Sequence, residues 1–131
     1  MEITIKNSEI FPAIGFLQGM QELPAQVSRA RTKLIKQLTG AGDEYVDSQK
    51  QIVTDNGGSI NEHGQIEGLT PEADANASQD MMVLANETIT IEPMYNQQFE
   101  TLRDGFEDYN GVISPEHANI FDTLYDALTQ D

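Results

Sequence analysis

Apolar and polar residues alternate from Met1 to Lys6, Met-Glu-Ile-Thr-Ile-Lys, and again from Thr88 to Glu92, Thr-Ile-Thr-Ile-Glu, before Pro93. A period of two with β-branched residues at the apolar positions is the pattern of a half-buried strand. Two such short strands can pair as a small sheet with one covered face. Between the first strand and Met20 the period lengthens. Ser8 is placed to cap a short helix carrying Ile10, Phe11, Ile14 and Leu17 on a largely buried face, with Pro12 tolerated near the first turn.

Pro24 opens the next helical pattern. At 100° per residue, Val27, Ala30, Leu34, Leu38, Ala41, Tyr45 and Ile52 fall in one stripe that survives Gly40 and Gly42. Glycine weakens a helix without forbidding it, so the stripe predicts either one long helix or two nearly collinear ones. Arg29, Lys33 and Lys36 lie together on the opposite side, at i, i+4 and i+7, as a candidate basic interface. Arg31 instead falls close to the apolar stripe, a candidate buried charge that has to snorkel past the core edge or meet a carboxylate from another element.

Residues 54 to 68 hold the densest turn signals in the chain, with Ile60 and Ile66 flanking a tight turn at Glu62 to Gly64, and predict a small hairpin. Thr70-Pro71-Glu72 has the form of a helix start, a capping hydroxyl followed by proline and an acid, and the helix it opens runs through Ala73, Ala77, Met81 and Leu84. Tyr95, Phe99, Leu102, Phe106 and Tyr109 then give an amphipathic helix with an aromatic face, stopped by Asn110-Gly111. Ser114-Pro115-Glu116 starts a last helix with His117, Ile120, Phe121, Leu124 and Leu128 in one stripe. These two predict a C-terminal antiparallel helical hairpin. The fold class expected for residues 1 to 131 is therefore α+β, a mostly helical single domain with a small sheet.

Charge changes this picture. The 131 residues include 22 Asp and Glu against 7 Lys and Arg, a formal charge of −15. Such a chain repels nucleic acid and anionic membranes, so no direct nucleic-acid or membrane partner is expected. No stretch is apolar enough for a membrane span, and no basic N-terminal region marks a secretory signal. The excess is unevenly placed. Residues 1 to 40 carry five cations against three carboxylates, a net +2, whereas residues 41 to 131 carry two against 19, a net −17. A basic patch on an acidic body suggests an electrostatic protein interface.

Candidate chemistry is sparse. Cysteine is absent, which removes disulfides, thiolate nucleophiles and cysteine-rich zinc sites. His63 reads as a solvated turn residue and His117 as a partly buried packing residue, neither at a ligand spacing from another donor. No nucleophile elbow and no phosphate-binding glycine loop occur. A calcium loop counted from Asp55 fails, because position 6 is Ile60 and position 12 is Ile66, where a glycine and a bidentate glutamate are needed. Neither catalysis nor a metal or cofactor is expected. Glu100, Asp104, Glu107 and Asp108 form a carboxylate stripe opposite the aromatic face of their helix. Carboxylates about 6 Å apart along a helix approach the separation of backbone phosphates, about 7 Å or less. That stripe admits a second function, a DNA-mimicking inhibitor of a host defence nuclease of the restriction or CRISPR type.

Four segments carry a family resemblance: Glu2 to Asn7, Phe11 to Leu17, Ser28 to Leu34 and Ile120 to Leu128. Together they resemble a small phage and prophage protein family of Gram-positive bacteria, domain of unknown function 1617, more at the two ends than over residues 55 to 93. The resemblance implies a phage-encoded protein acting in the cytoplasm of the infected bacterium or in the particle, encoded among late, tail-proximal and lysis genes. It supplies no reaction and no catalytic residue. The function expected is a non-enzymatic accessory protein that binds a protein partner or itself.

Overall fold

The computed structural model describes residues 1 to 130. Strand β1 (Ile3–Lys6) pairs antiparallel with β4 (Thr88–Ile91), Ile3 opposite Ile91 and Lys6 opposite Thr88. Alternation along each strand sends Ile3, Ile5 and Ile91 into the core and leaves Thr4 and Thr90 outside, where their hydroxyls meet at 3.2 Å. The two most separated strand patterns in the sequence are thus a single ribbon.

A 3₁₀ turn, Asn7–Glu9, leads directly into α1 (Ile10–Gly19). The start is closed by Glu9, whose Oε1 accepts the Lys6 N–H at 2.8 Å, and not by Ser8. Helix α1 buries Ile10, Ala13, Phe16 and Leu17, but Phe11 remains half exposed. The sequence stripe placed it inside. Its ring instead rests on α2 over Gly42, close enough that a Cβ there would lie 2.9 Å from it, and beside Tyr45 at 6.5 Å between centroids. Gly42, a weak point for helix propensity, is the point that lets α1 approach.

Helix α2 (Ala25–Asp55) is a single element of 31 residues, about 46 Å long at 1.5 Å per residue. Val27, Ala30, Leu34 and Leu38 are buried along it. The chain then turns through the predicted hairpin, β2 (Ser59–Ile60) with β3 (Ile66–Glu67), Ile60 opposite Ile66. Asn61 Oδ1 accepts the backbone N–H groups of His63 and Gln65, both at 2.9 Å, and Gly64 takes φ +78°, which fixes the turn. Helix α3 (Pro71–Asn86) begins as expected, with Thr70 Oγ1 accepting the Ala73 N–H at 3.1 Å. Ala77 is its one buried residue, with Ala73, Met81 and Leu84 half-buried on the same side.

Helix α4 (Gln98–Glu107) is shorter than its aromatic stripe. Phe99, Leu102 and Phe106 are buried on it, but Tyr95 and Tyr109 lie outside its ends. Pro93 cannot continue a helix backbone ladder, and Gln97 sits in the left-handed region at φ +70°, so the helix starts only after it. Helix α5 (Pro115–Thr129) follows. The hairpin of α4 and α5 closes over α1 through rings: Phe106 stacks on Phe121 at 5.3 Å, and Phe16 meets both edge-on at 5.8 and 5.5 Å. One hydrophobic cluster joins β1, α1, the first half of α2, β4, α4 and α5. The segment from the hairpin through α3 lies along the second half of α2, outside that cluster.

Candidate functional site

The three basic residues share the outer side of α2, Arg29 and Lys36 exposed and Lys33 half-buried. Arg29 is held. Its guanidinium carbon lies 4.2 Å from the centroid of the Tyr95 ring, a cation–π contact that fixes the charge without neutralising it. The position of Tyr95 depends in turn on Gln98, which is fully buried. Gln98 Oε1 accepts the Met94 N–H at 2.7 Å, and its Nε2 donates to Gln37 Oε1 at 3.1 Å and to the Ala30 carbonyl at 3.4 Å. Gln37 Nε2 donates to the Glu92 carbonyl at 2.7 Å. The connection from β4 to α4 is therefore clamped onto α2 by two glutamine amides.

Sequence reasoning missed both glutamines. Hydrophobic periodicity treats Gln98 as a polar neighbour of Phe99, and no pattern marks an amide as a core residue. Tyr95 was found, but as part of a helical stripe and not as a platform for Arg29.

Among the described residues the ion pairs are His63 with Glu62 and Arg103 with Asp104. Arg29, Lys33 and Lys36 face no carboxylate in either. Arg31 also lacks one: it is half-buried, its Nη1 donates to the Met20 carbonyl at 2.8 Å and its Nη2 to Ser28 Oγ at 3.4 Å. Met20 is the C-terminal cap of α1, where unsatisfied carbonyls and the helix dipole favour a cation. The partner of Arg31 is thus a helix end, which sequence spacing does not display.

Glu100, Asp104, Glu107 and Asp108 are all exposed on α4 or at its end. The structure gives three of them local roles. Asp104 Oδ1 receives the Arg103 guanidinium at 3.3 Å. Glu107 Oε1 accepts the Tyr125 hydroxyl at 3.1 Å, a bond to the carboxylate that pushes the Tyr125 pKa above its ordinary 10.0. Asp104 and Asp108 line an open cleft of about 840 Å³ together with the first turn of α2, Gly105 and Tyr109. That turn has no acidic residue and no side-chain cap of its own. The cleft thus brings the N-terminus of α2 and two carboxylates of the stripe to one surface.

The two histidines are far apart in role. His63 is exposed in the hairpin turn, and His117 is half-buried with its ring edge-on to Phe16 at 5.9 Å. Among the described residues no three His, Cys, Asp or Glu side chains converge as metal ligands would, and no helix is long and apolar enough to cross a membrane. Compared with family models, curated proteins and solved structures, the chain has no match in any of the three.

Proposed function

We propose that the chain is a phage-encoded accessory protein that works by protein binding, with the Arg29, Lys33, Lys36 stripe of one copy meeting the carboxylates of the C-terminal hairpin of another. The phage origin and the setting in an infected bacterium rest on the four resembling segments. The observation that carries the binding role is Arg29 stacked on Tyr95: a chain with 22 carboxylates holds a cation in place outside every ion pair among the described residues. Exposed charges of opposite sign on one chain favour association between copies and steer encounter. Nuclease inhibition by DNA mimicry is less well supported. Asp104 and Glu107 are engaged within the subunit, which leaves the stripe without an even row of free charges.

Sedimentation velocity at low and at physiological salt tests the reading. The wild-type chain is expected to associate at low salt and to dissociate as screening shortens the Debye length to about 8 Å. The variant Arg29→Glu, Lys33→Glu, Lys36→Glu is expected to stay monomeric throughout. A wild type that is monomeric in both salts and indistinguishable from this variant overturns the assignment.

A further inference from the structure

Helix α3 leaves two adjacent apolar side chains, Met82 and Val83, more than half uncovered by the other described residues. Met82 is 61% exposed and Val83 53%, adjacent on a helix whose one buried residue is Ala77 on the other side. Two shallow depressions meet at Val83. One, about 270 Å³, runs between α3 and the second half of α2 over Ile52 and Leu84; the other, about 370 Å³, lies on the far side beside Met82 and Asn86. Glu87 borders both, and Asp80 borders the first.

The face is preformed. Asn7, buried in the 3₁₀ turn before α1, donates its Nδ2–H to the Leu84 carbonyl at 2.9 Å and its backbone N–H to the Glu87 carbonyl at 2.9 Å. The next residue enters β4, so the C-terminal end of α3 is tied to the sheet. A surface held in place loses little entropy on binding, and Met82, which lines its depression with Gln79, Val83 and Asn86, adapts to the side chains laid against it.

Charge selects the occupant. Helix α3 carries Glu72, Asp74 and Asp80 and no cation, and Lys50 and Arg103 are the only basic residues after residue 40. A second copy presenting the same face would set these carboxylates against each other, and an anionic lipid surface would be repelled. We propose that the Met82–Val83 face and its two flanking depressions are the docking site for a cationic amphipathic helix of a partner protein. Its apolar side lies across Val83 and its lysines or arginines meet Asp80 and Glu87. This surface shares no residue with the stripes on α2 and α4, and it stands or falls independently of them.

The test uses the full chain and a fluorescein-labelled peptide of leucine and lysine at helical spacing, about 18 residues or five turns long, read by anisotropy at physiological salt. The expected result is saturable one-to-one binding, about tenfold or more tighter than a scrambled peptide of the same composition. Met82→Gln with Val83→Gln, neutral changes at exposed positions, should weaken it by about tenfold or more. Asp80→Asn with Glu87→Gln should weaken it and flatten its salt dependence. Circular dichroism checks that each variant keeps its helices. Equal binding of the scrambled peptide, absence of saturable binding, or a Met82, Val83 variant that binds like the wild type overturns the proposal. So does a wild type whose self-association is abolished by that same variant, because a second copy would then cover the face.

Discussion

Gly105 of α4 lies so close to Val27 of α2 that a Cβ on it would sit 2.5 Å from Val27 Cγ1 and 2.9 Å from Cγ2. Val27 is β-branched, stiff about χ1, and buried, so it cannot swing away cheaply. Gly105→Ala is therefore expected to destabilise the fold by about 1–3 kcal/mol in spite of the better helix propensity of alanine. Val27→Ala in the same chain should recover part of the loss, giving a coupling of about 0.5–3 kcal/mol between the two positions. Urea denaturation of the wild type, both single variants and the double variant measures this directly. Additive losses would mean that the helices adjust without contact between these residues.

The Gln37–Gln98 clamp predicts a different signature. Gln98→Leu keeps roughly the volume but strips the Met94 N–H, Gln37 Oε1 and the Ala30 carbonyl of their partner, at an expected cost of about 1–3 kcal/mol. Gln98→Glu retains the acceptor for Met94 but turns a carboxylate toward Gln37 Oε1 and the Ala30 carbonyl in a fully buried site. Burial and those two acceptors favour the protonated acid, which can donate as the amide did, so the folded-state pKa is raised. Stability of Gln98→Glu should accordingly be greatest at low pH and fall as pH rises through that pKa, a slope absent from Gln98→Leu. Parallel urea midpoints for the two variants across acid and neutral pH would refute the clamp.

What could be read from the sequence follows from which interactions are local. Strand alternation, the Thr70-Pro71 start, the Glu62 to Gly64 turn and the α2 stripe are set by neighbours within a few residues, and the structure has each of them. The pairing of β1 with β4 was also legible, because two short matching strands have few alternatives. The α+β, mostly helical architecture followed from these. The places where the reading went astray are tertiary. Phe11 leaves the inner face because Gly42 offers a seat on α2, and Tyr95 drops off the end of α4 because Gln97 turns left-handed. Arg31 finds a helix end where spacing left open snorkelling past the core edge or a carboxylate partner. The basic and acidic stripes were visible as patterns, but Tyr95 beneath Arg29 and Tyr125 on Glu107 come from chain distances of 66 and 18 residues, which periodicity does not encode.

Tyr125 offers a spectroscopic check on the acidic hairpin. Its hydroxyl donates to Glu107 Oε1 at 3.1 Å, and this bond, with smaller contributions from burial and the Glu107 charge, raises its pKa above 10.0 while Arg103 pulls the other way. A tyrosine whose folded pKa exceeds its unfolded one gives stabilisation that is fully present below the unfolded value and disappears as pH rises through the folded value. In an ultraviolet absorbance titration of the folded chain, one of the four tyrosines should ionise late, and Tyr125→Phe should delete that component. Glu107→Gln keeps an acceptor but removes the charge, so it should bring the transition back toward 10.0, and Arg103→Ala should move it further up. If the late component survives Glu107→Gln unchanged, then α5 is not bonded to the carboxylate stripe through this pair. Glu107 would then be as free as Glu100, which would restore one charge to the row that DNA mimicry requires.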